Sequence, residues 1–211
     1  MIYRRSYKKQ FIYWLFLVLI PWNGFGQAPL SNRVANYKMH IFLDTEEKMT
    51  RNHTEFLWNN PSADTIYELQ FHLYYNAFKN DQSTFLQGSN FSYADDKCDW
   101  GWSNIKTIKD AAGNDLTPNL KYIQPNDENE QDQTVLLIPL AESVLPYGSV
   151  QLDFDWEAKI PKLMIRTGYN REYYFMAQWF PKVGVYEGKG IRCAEAGSWN
   201  CNQYHLSLLH I

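Results

Sequence analysis

Five histidines, three cysteines and 23 acidic residues are the groups of this 211-residue chain able to ligate a metal, move a proton or attack a carbonyl. Two spacings bring a carboxylate and an imidazole to one strand face, His53 with Glu55 and Glu68 with His72, because alternate residues of a strand point the same way. A zinc centre needs three or four such ligands brought together, so neither pair is expected to make one. Each is read as an ordinary surface or half-buried histidine. Cys201 and His205 mimic the spacing of a thiol and its base, but little chain follows them to support a nucleophile. H-E-x-x-H, G-x-S-x-G and a glycine-rich phosphate loop do not occur in the sequence. Without any C-x-x-C, a structural zinc clip is not expected either.

The stretch Tyr173–Glu187, YYFMAQWFPKVGVYE, is apolar and aromatic without any period. A short extended run from Tyr173 to Ala177 leads through Gln178 to a Trp-Phe-Pro-Lys corner and a Val-Gly-Val-Tyr turn, so a strand is expected to break at Pro181. Segments just beyond a strand end are where binding residues sit.

The rest of the chain supplies strands to hold that segment. NYKMHIFLD, from Asn36 to Asp44, puts Tyr37, Met39, Ile41 and Leu43 on one face and Lys38, His40 and Phe42 on the other. A charged turn, Thr45 to Lys48, leads to a second run from Met49 to Trp58, which makes a hairpin. A third strand is predicted from Thr65 to Tyr75, with Leu69, Phe71, Leu73 and Tyr75 on one face and Gln70, His72 and Tyr74 on the other. Further strands are expected near Ile105–Lys109, Leu120–Gln124 and Thr134–Leu140, the last stopped by Pro139. The clearest alternation follows, Val150, Leu152, Phe154 and Trp156 against Gln151, Asp153, Asp155 and Glu157, and Ile160-Pro161 closes it. The acidic face of that strand and the stretch Asn126–Gln133 are read as solvated. Seven or eight strands and no convincing amphipathic helix after residue 28 predict a mostly β chain, an antiparallel sandwich or saddle-shaped assembly.

Between the third and fourth strands lies a long polar and aromatic excursion, from Asn76 to Asn104, with room for one helical turn. Loops of this length are usually functional, so it is expected to be a lid or a binding surface. Its Tyr93, Trp100 and Trp102 are candidate stacking platforms for sugar rings, which makes a stand-alone binding module for carbohydrate or peptide one reading of the whole chain.

Composition narrows the classes. With 45% hydrophobic and 20% charged residues the chain is globular, and a net charge of -3 argues against a nucleic-acid partner, which calls for a basic face. Arg4, Arg5, Lys8 and Lys9 precede a 12-residue apolar run, Phe11 to Trp22, and then Asn23-Gly24-Phe25-Gly26-Gln27. A spanning helix needs about 20 apolar residues, so residues 1–27 read as a secretory signal peptide, an uncleaved anchor being the alternative. Either way residues 28–211 are expected to be exported, with no membrane span after cleavage. Cys98, Cys193 and Cys201 are then in a compartment that permits disulfides, and an odd number leaves one unpaired. Asn52-His53-Thr54 and Asn90-Phe91-Ser92 match the glycosylation triplet, a pattern common by chance.

Four stretches together carry a resemblance: NYKMHIFLDTEEKMTRNHTEFLWNN, ELQFHLYYNAFKNDQSTF, LPYGSVQLDFDWEAKIP, and YYFMAQWFPKVGVYE followed by WNCNQYH. They are similar to the amino-terminal domain of secreted zinc metallopeptidases of the aminopeptidase N family, in the form found in Bacteroidetes, from about Asn36 to His205. The resemblance implies a saddle-like β domain packed on a separate thermolysin-like domain, which would hold the zinc and hydrolyse a peptide substrate near its amino terminus. None of that zinc machinery falls on residues of this chain, so it is expected to carry no cofactor and no catalytic residue. In the family a Gln or Glu just before an aromatic, proline-containing corner faces the substrate's free amine, and Gln178 holds that place here. Lys182 stands where the family's corner has cysteine, and the spacing from Gln178 to Pro181 is compressed. Leu206 to Ile211 depart from the family pattern, which implies a truncated domain with an open edge, poor solubility and no peptidase activity alone.

Overall fold

The structure is a computed structural model and describes residues 33–88, 99–162, 167–188 and 197–203. The expected signal peptide therefore lies outside the described residues, as do Cys98, Cys193, Tyr93, Asn90, His205 and the segment Leu206 to Ile211. Among the described residues no helix is long and apolar enough to cross a membrane. Twelve strands are described: β1 (Ala35–Asp44), β2 (Met49–Asn59), β3 (Ile66–His72), β4 (Trp102–Asp110), β5 (Lys121–Tyr122), β6 (Val135–Val144), β7 (Ser149–Lys159), β8 (Thr167–Asn170), β9 (Tyr173–Met176), β10 (Lys182–Val183), β11 (Val185–Glu187) and β12 (Ser198–Asn200).

They form an antiparallel β-sandwich of two open four-stranded sheets, ordered β1-β2-β7-β4 and β10-β3-β6-β5, with β8-β9 and β11-β12 as separate two-stranded pairs. The alternating strands carry the first sheet. Thr54, Phe56 and Trp58 of β2 and Leu152, Phe154 and Trp156 of β7 are buried and in register, while His53, Asp155 and their neighbours face solvent. Phe71 of β3 reaches across from the second sheet, its ring 5.2 Å from Phe56 and 6.1 Å from Phe154. Each such ring removes enough apolar area from water to stabilise the fold by about 1.5–3 kcal/mol. The buried indole N–H of Trp156 is not wasted, since it donates to Thr54 Oγ1 at 2.9 Å.

Several expectations are corrected. β3 ends at His72, and Tyr74–Phe78 turns into a 3-10 helix, so Leu73 and Tyr75 reach the core from a turn rather than a strand. His72, read as a surface or half-buried histidine, is buried, at 8% exposure. Pro139 does not stop its strand: β6 runs on to Val144, and Pro139 sits opposite Glu68 at a bulge. A bulge interrupts the ladder, which is where a residue without an N–H is tolerated. The strand expected over Leu120–Gln124 shrinks to the two residues of β5. Asn126–Gln133 is not simply solvated, because Asp132 is fully buried and its carboxylate accepts from Thr134 N–H and Oγ1 and from Thr84 N–H. Asn52 is buried in β2, unsuited to carrying a glycan.

The described parts of the long excursion, 76–88 and 99–104, pack together. Phe78 and Phe85 meet at 5.6 Å in a small satellite core with Ala77 and Leu86, and Trp100 packs against it. The predicted helical turn is α1 (Thr84–Gln87), capped by Ser83 Oγ, which accepts from Leu86 N–H at 3.2 Å.

Candidate functional site

The segment Tyr173–Glu187 starts as one arm of a hairpin. β8 and β9 pair from Thr167↔Met176 to Asn170↔Tyr173, with Arg171 in the turn at φ 57. Lys48, in the β1–β2 turn, fastens this hairpin to the first sheet. Its ammonium lies 5.1 Å from the Tyr169 ring and 5.2 Å from the Tyr174 ring, and donates to Tyr174 Oη at 2.8 Å. Tyr174 Oη in turn donates to the Thr45 carbonyl at 3.2 Å, and Tyr169 Oη donates to Asp99. That bond to the Asp99 carboxylate, above all, pushes the Tyr169 pKa up to about 12. A cation between two rings prefers this geometry because the ring faces are negative.

The strand breaks earlier than Pro181. β9 ends at Met176, and Gln178 takes a left-handed backbone, φ 52, which only a sharp change of direction requires. The next two residues turn inward: Trp179 sits 5.1 Å from Trp156, and Phe180 lies edge-on to Tyr37 at 5.4 Å. Pro181 is buried, and Val183 N–H donates to Tyr37 Oη at 2.8 Å. Burial pushes the Tyr37 phenol pKa up, keeping it a neutral hydroxyl. The corner is thus wedged into the sandwich on one side of Gln178 and pinned by Lys48 on the other. Gln178 itself is exposed, and its side-chain amide has no hydrogen-bond partner among the described residues.

Val-Gly-Val-Tyr is not a turn, contrary to its composition. Val183 closes β10 against Phe71, and Val185–Glu187 is β11, paired with Ser198–Asn200. Gly184 is there for space, since a Cβ on it would lie 2.9 Å from Cys201 Cβ. Cys201 is a free, buried thiol whose pKa burial pushes up to about 12, so it is protonated and unreactive at neutral pH.

The remaining candidates are placed apart. His53 and Glu55 share the solvent face of β2, but each looks to a neighbouring strand, His53 Nδ1 to Asp155 Oδ1 at 2.8 Å and Glu55 to Lys38 at 2.6 Å. The acidic face of β7 therefore does more than solvate. Glu68 takes a hydrogen bond from Gln70 rather than meeting His72, which stacks on Tyr74 with ring centroids 4.6 Å apart. Of the three candidate stacking rings, Trp100 and Trp102 are half-buried. The rings exposed on one side of a strand are instead Tyr173 at 60% and Phe175 at 46%, two residues apart on β9. Among the described residues no three His, Cys, Asp or Glu side chains converge to hold an ion.

No protein-family model matches the chain, and no curated protein matches it. Among solved structures it is distantly similar to the CBM3a-L domain with flanking linkers from scaffoldin cipA of the Clostridium thermocellum cellulosome, at 11% identity and a TM-score of 0.28 over 72% of this chain and 84% of that one. It is also similar to the family 3a carbohydrate-binding module of the same scaffoldin, at 13% identity and a TM-score of 0.26 over 81% of this chain and 100% of that one. Similarity this low carries no inference, and what stands is the architecture itself: the chain is a mostly β, antiparallel sandwich.

Proposed function

We propose that the chain is the non-catalytic amino-terminal β-sandwich of an exported zinc metallopeptidase of the aminopeptidase N type, and that Gln178 receives the free amine of a peptide substrate. The observation that carries the reading is the state of Gln178, exposed and without a hydrogen-bond partner among the described residues, between two anchored segments. A primary-amide oxygen accepts from an ammonium group, and pre-organising it lowers the ordering cost of binding. The zinc-bound water that attacks the amide carbonyl belongs to the separate domain.

Binding without that domain is weak, so the test is a chemical-shift titration of the 211-residue chain with a short peptide amide. The signals of Ala177 to Trp179 are expected to shift with the free amine and not with its N-acetylated form. Equal shifts from both peptides would remove the role of Gln178.

A second reading, a binding module for carbohydrate or peptide, is favoured by one observation, the exposed Tyr173 and Phe175 on one side of the β8–β9 hairpin. Rings so displayed stack on sugar faces. A glycan array separates the two readings: a retained glycan lost in Tyr173→Ala supports the module, and no retention supports the peptidase domain.

A further inference from the structure

The solvent face of the first sheet carries a row of four polar side chains, one from each strand: His40 (β1), His53 (β2), Asp155 (β7) and Thr107 (β4). The row is fixed by register, His40 opposite His53, His53 opposite Asp155, and Asp155 opposite Thr107. Thr107 Oγ1 donates to Asp155 Oδ2 at 3.0 Å, and Asp155 Oδ1 lies 2.8 Å from His53 Nδ1. A carboxylate oxygen accepts, so Nδ1 is the donor of that bond and Nε2 is the nitrogen left to ligate. A carboxylate behind one nitrogen fixes the tautomer and raises the basicity of the other, the arrangement that supports metal-bound histidines.

His40 is the exposed neighbour, its ring centroid 6.5 Å from that of His53 and the planes 34° apart. Two imidazoles sharing an ion at about 2.0–2.1 Å from each nitrogen have centroids on the order of 5 Å apart. Closing the difference needs about 1.5 Å of movement shared between two exposed rings, within reach of side-chain rotation. Lys38, Arg51 and Lys106 are each ion-paired, with Glu55, Asp44 and Glu157, while Lys109 of β4 acts on Asp155 from the far side of the row. A shallow groove of about 550 Å³ runs over these side chains and leaves room for the waters that complete the coordination.

We propose that His40 and His53 form a two-imidazole site for a divalent cation of the zinc, nickel and copper(II) class, with Asp155 and Thr107 as positioning residues for His53. Imidazole nitrogens suit these ions, and carboxylate-seeking magnesium or calcium would not compete. The site is separate from the zinc of the proposed parent enzyme, and neither reading depends on the other.

The test is a titration of the full chain with Ni²⁺, followed by calorimetry and by nuclear magnetic resonance. One equivalent is expected to bind, with paramagnetic broadening centred on Lys38–Ile41 and Asn52–Thr54 in the unaltered chain. Binding should fall at least tenfold in His40→Ala and His53→Ala, and about tenfold in Asp155→Asn. In Asp155→Asn the nitrogen shifts of His53 should also report a mixed tautomer, which a purely structural role would not produce. Replacing His205 and His210 is expected to leave binding unchanged. Broadening centred elsewhere, dependence on His205 and His210, or no binding would overturn the site.

Discussion

His72 is a residue whose charge state bears on the fold. It is buried against Tyr74, its Nδ1 has no hydrogen-bond partner, and burial, with help from Lys182, pushes its pKa from 6.5 down to about 4. The folded state therefore resists a proton that the unfolded chain accepts. Its contribution is complete above about pH 6.5, declines as the pH falls toward 4, and is lost below that, for a total of about 3 kcal/mol. Urea unfolding between pH 7 and pH 4.5 should show this decline, and His72→Leu should flatten it. An unchanged slope in the variant would show that other groups cause it. Gly184→Ala is expected to cost about 1–3 kcal/mol through the clash with Cys201 Cβ, read as a lower urea midpoint with unchanged slope. Neither role was legible in the residues themselves. Period-two alternation sets His72 on the face away from Leu69 and Phe71 but cannot see that β10 and the Asn202 backbone cover it, and Val-Gly-Val-Tyr has a turn's composition while its glycine answers to a thiol 17 positions later.

At the scale of elements, the β1–β2 hairpin and β7 were readable almost residue by residue, since one buried face and one wet face leave strict alternation. β3 was misjudged at its end because an apolar run reads alike as strand or turn. β10, β11 and β12 have two or three residues each, too few for any period; β10 pairs with β3 just after the Trp179–Pro181 wedge, and β11 with β12. The hairpin of β8 and β9 depends on Lys48, an unremarkable turn residue in the sequence. Lys48→Met keeps the stem but removes the charge between Tyr169 and Tyr174. We expect a loss of about 1–2 kcal/mol, a fall in Tm of about 2–8 °C, and faster amide exchange across Thr167–Met176 than elsewhere. Uniform exchange would show that the cation is not what holds the hairpin.

For the molecule as a whole, the mostly β, antiparallel sandwich followed from patterning alone, and an aromatic core of Phe56, Phe71 and Phe154 joins its sheets. What patterning could not supply is the placing of Gln178, because it is set by anchors contributed by β1, the β1–β2 turn and β7, more than 20 residues away in sequence. The His40–His53 row is equally a product of register, visible only once the β1–β2 turn is set at Thr45–Lys48. The central claim, that this sandwich serves a zinc peptidase whose chemistry lies on other residues, is tested most directly by reading the DNA that follows the Ile211 codon. It predicts H-E-x-x-H with a further Glu on a later helix, in any frame. A downstream region without that motif in all three frames would contradict it.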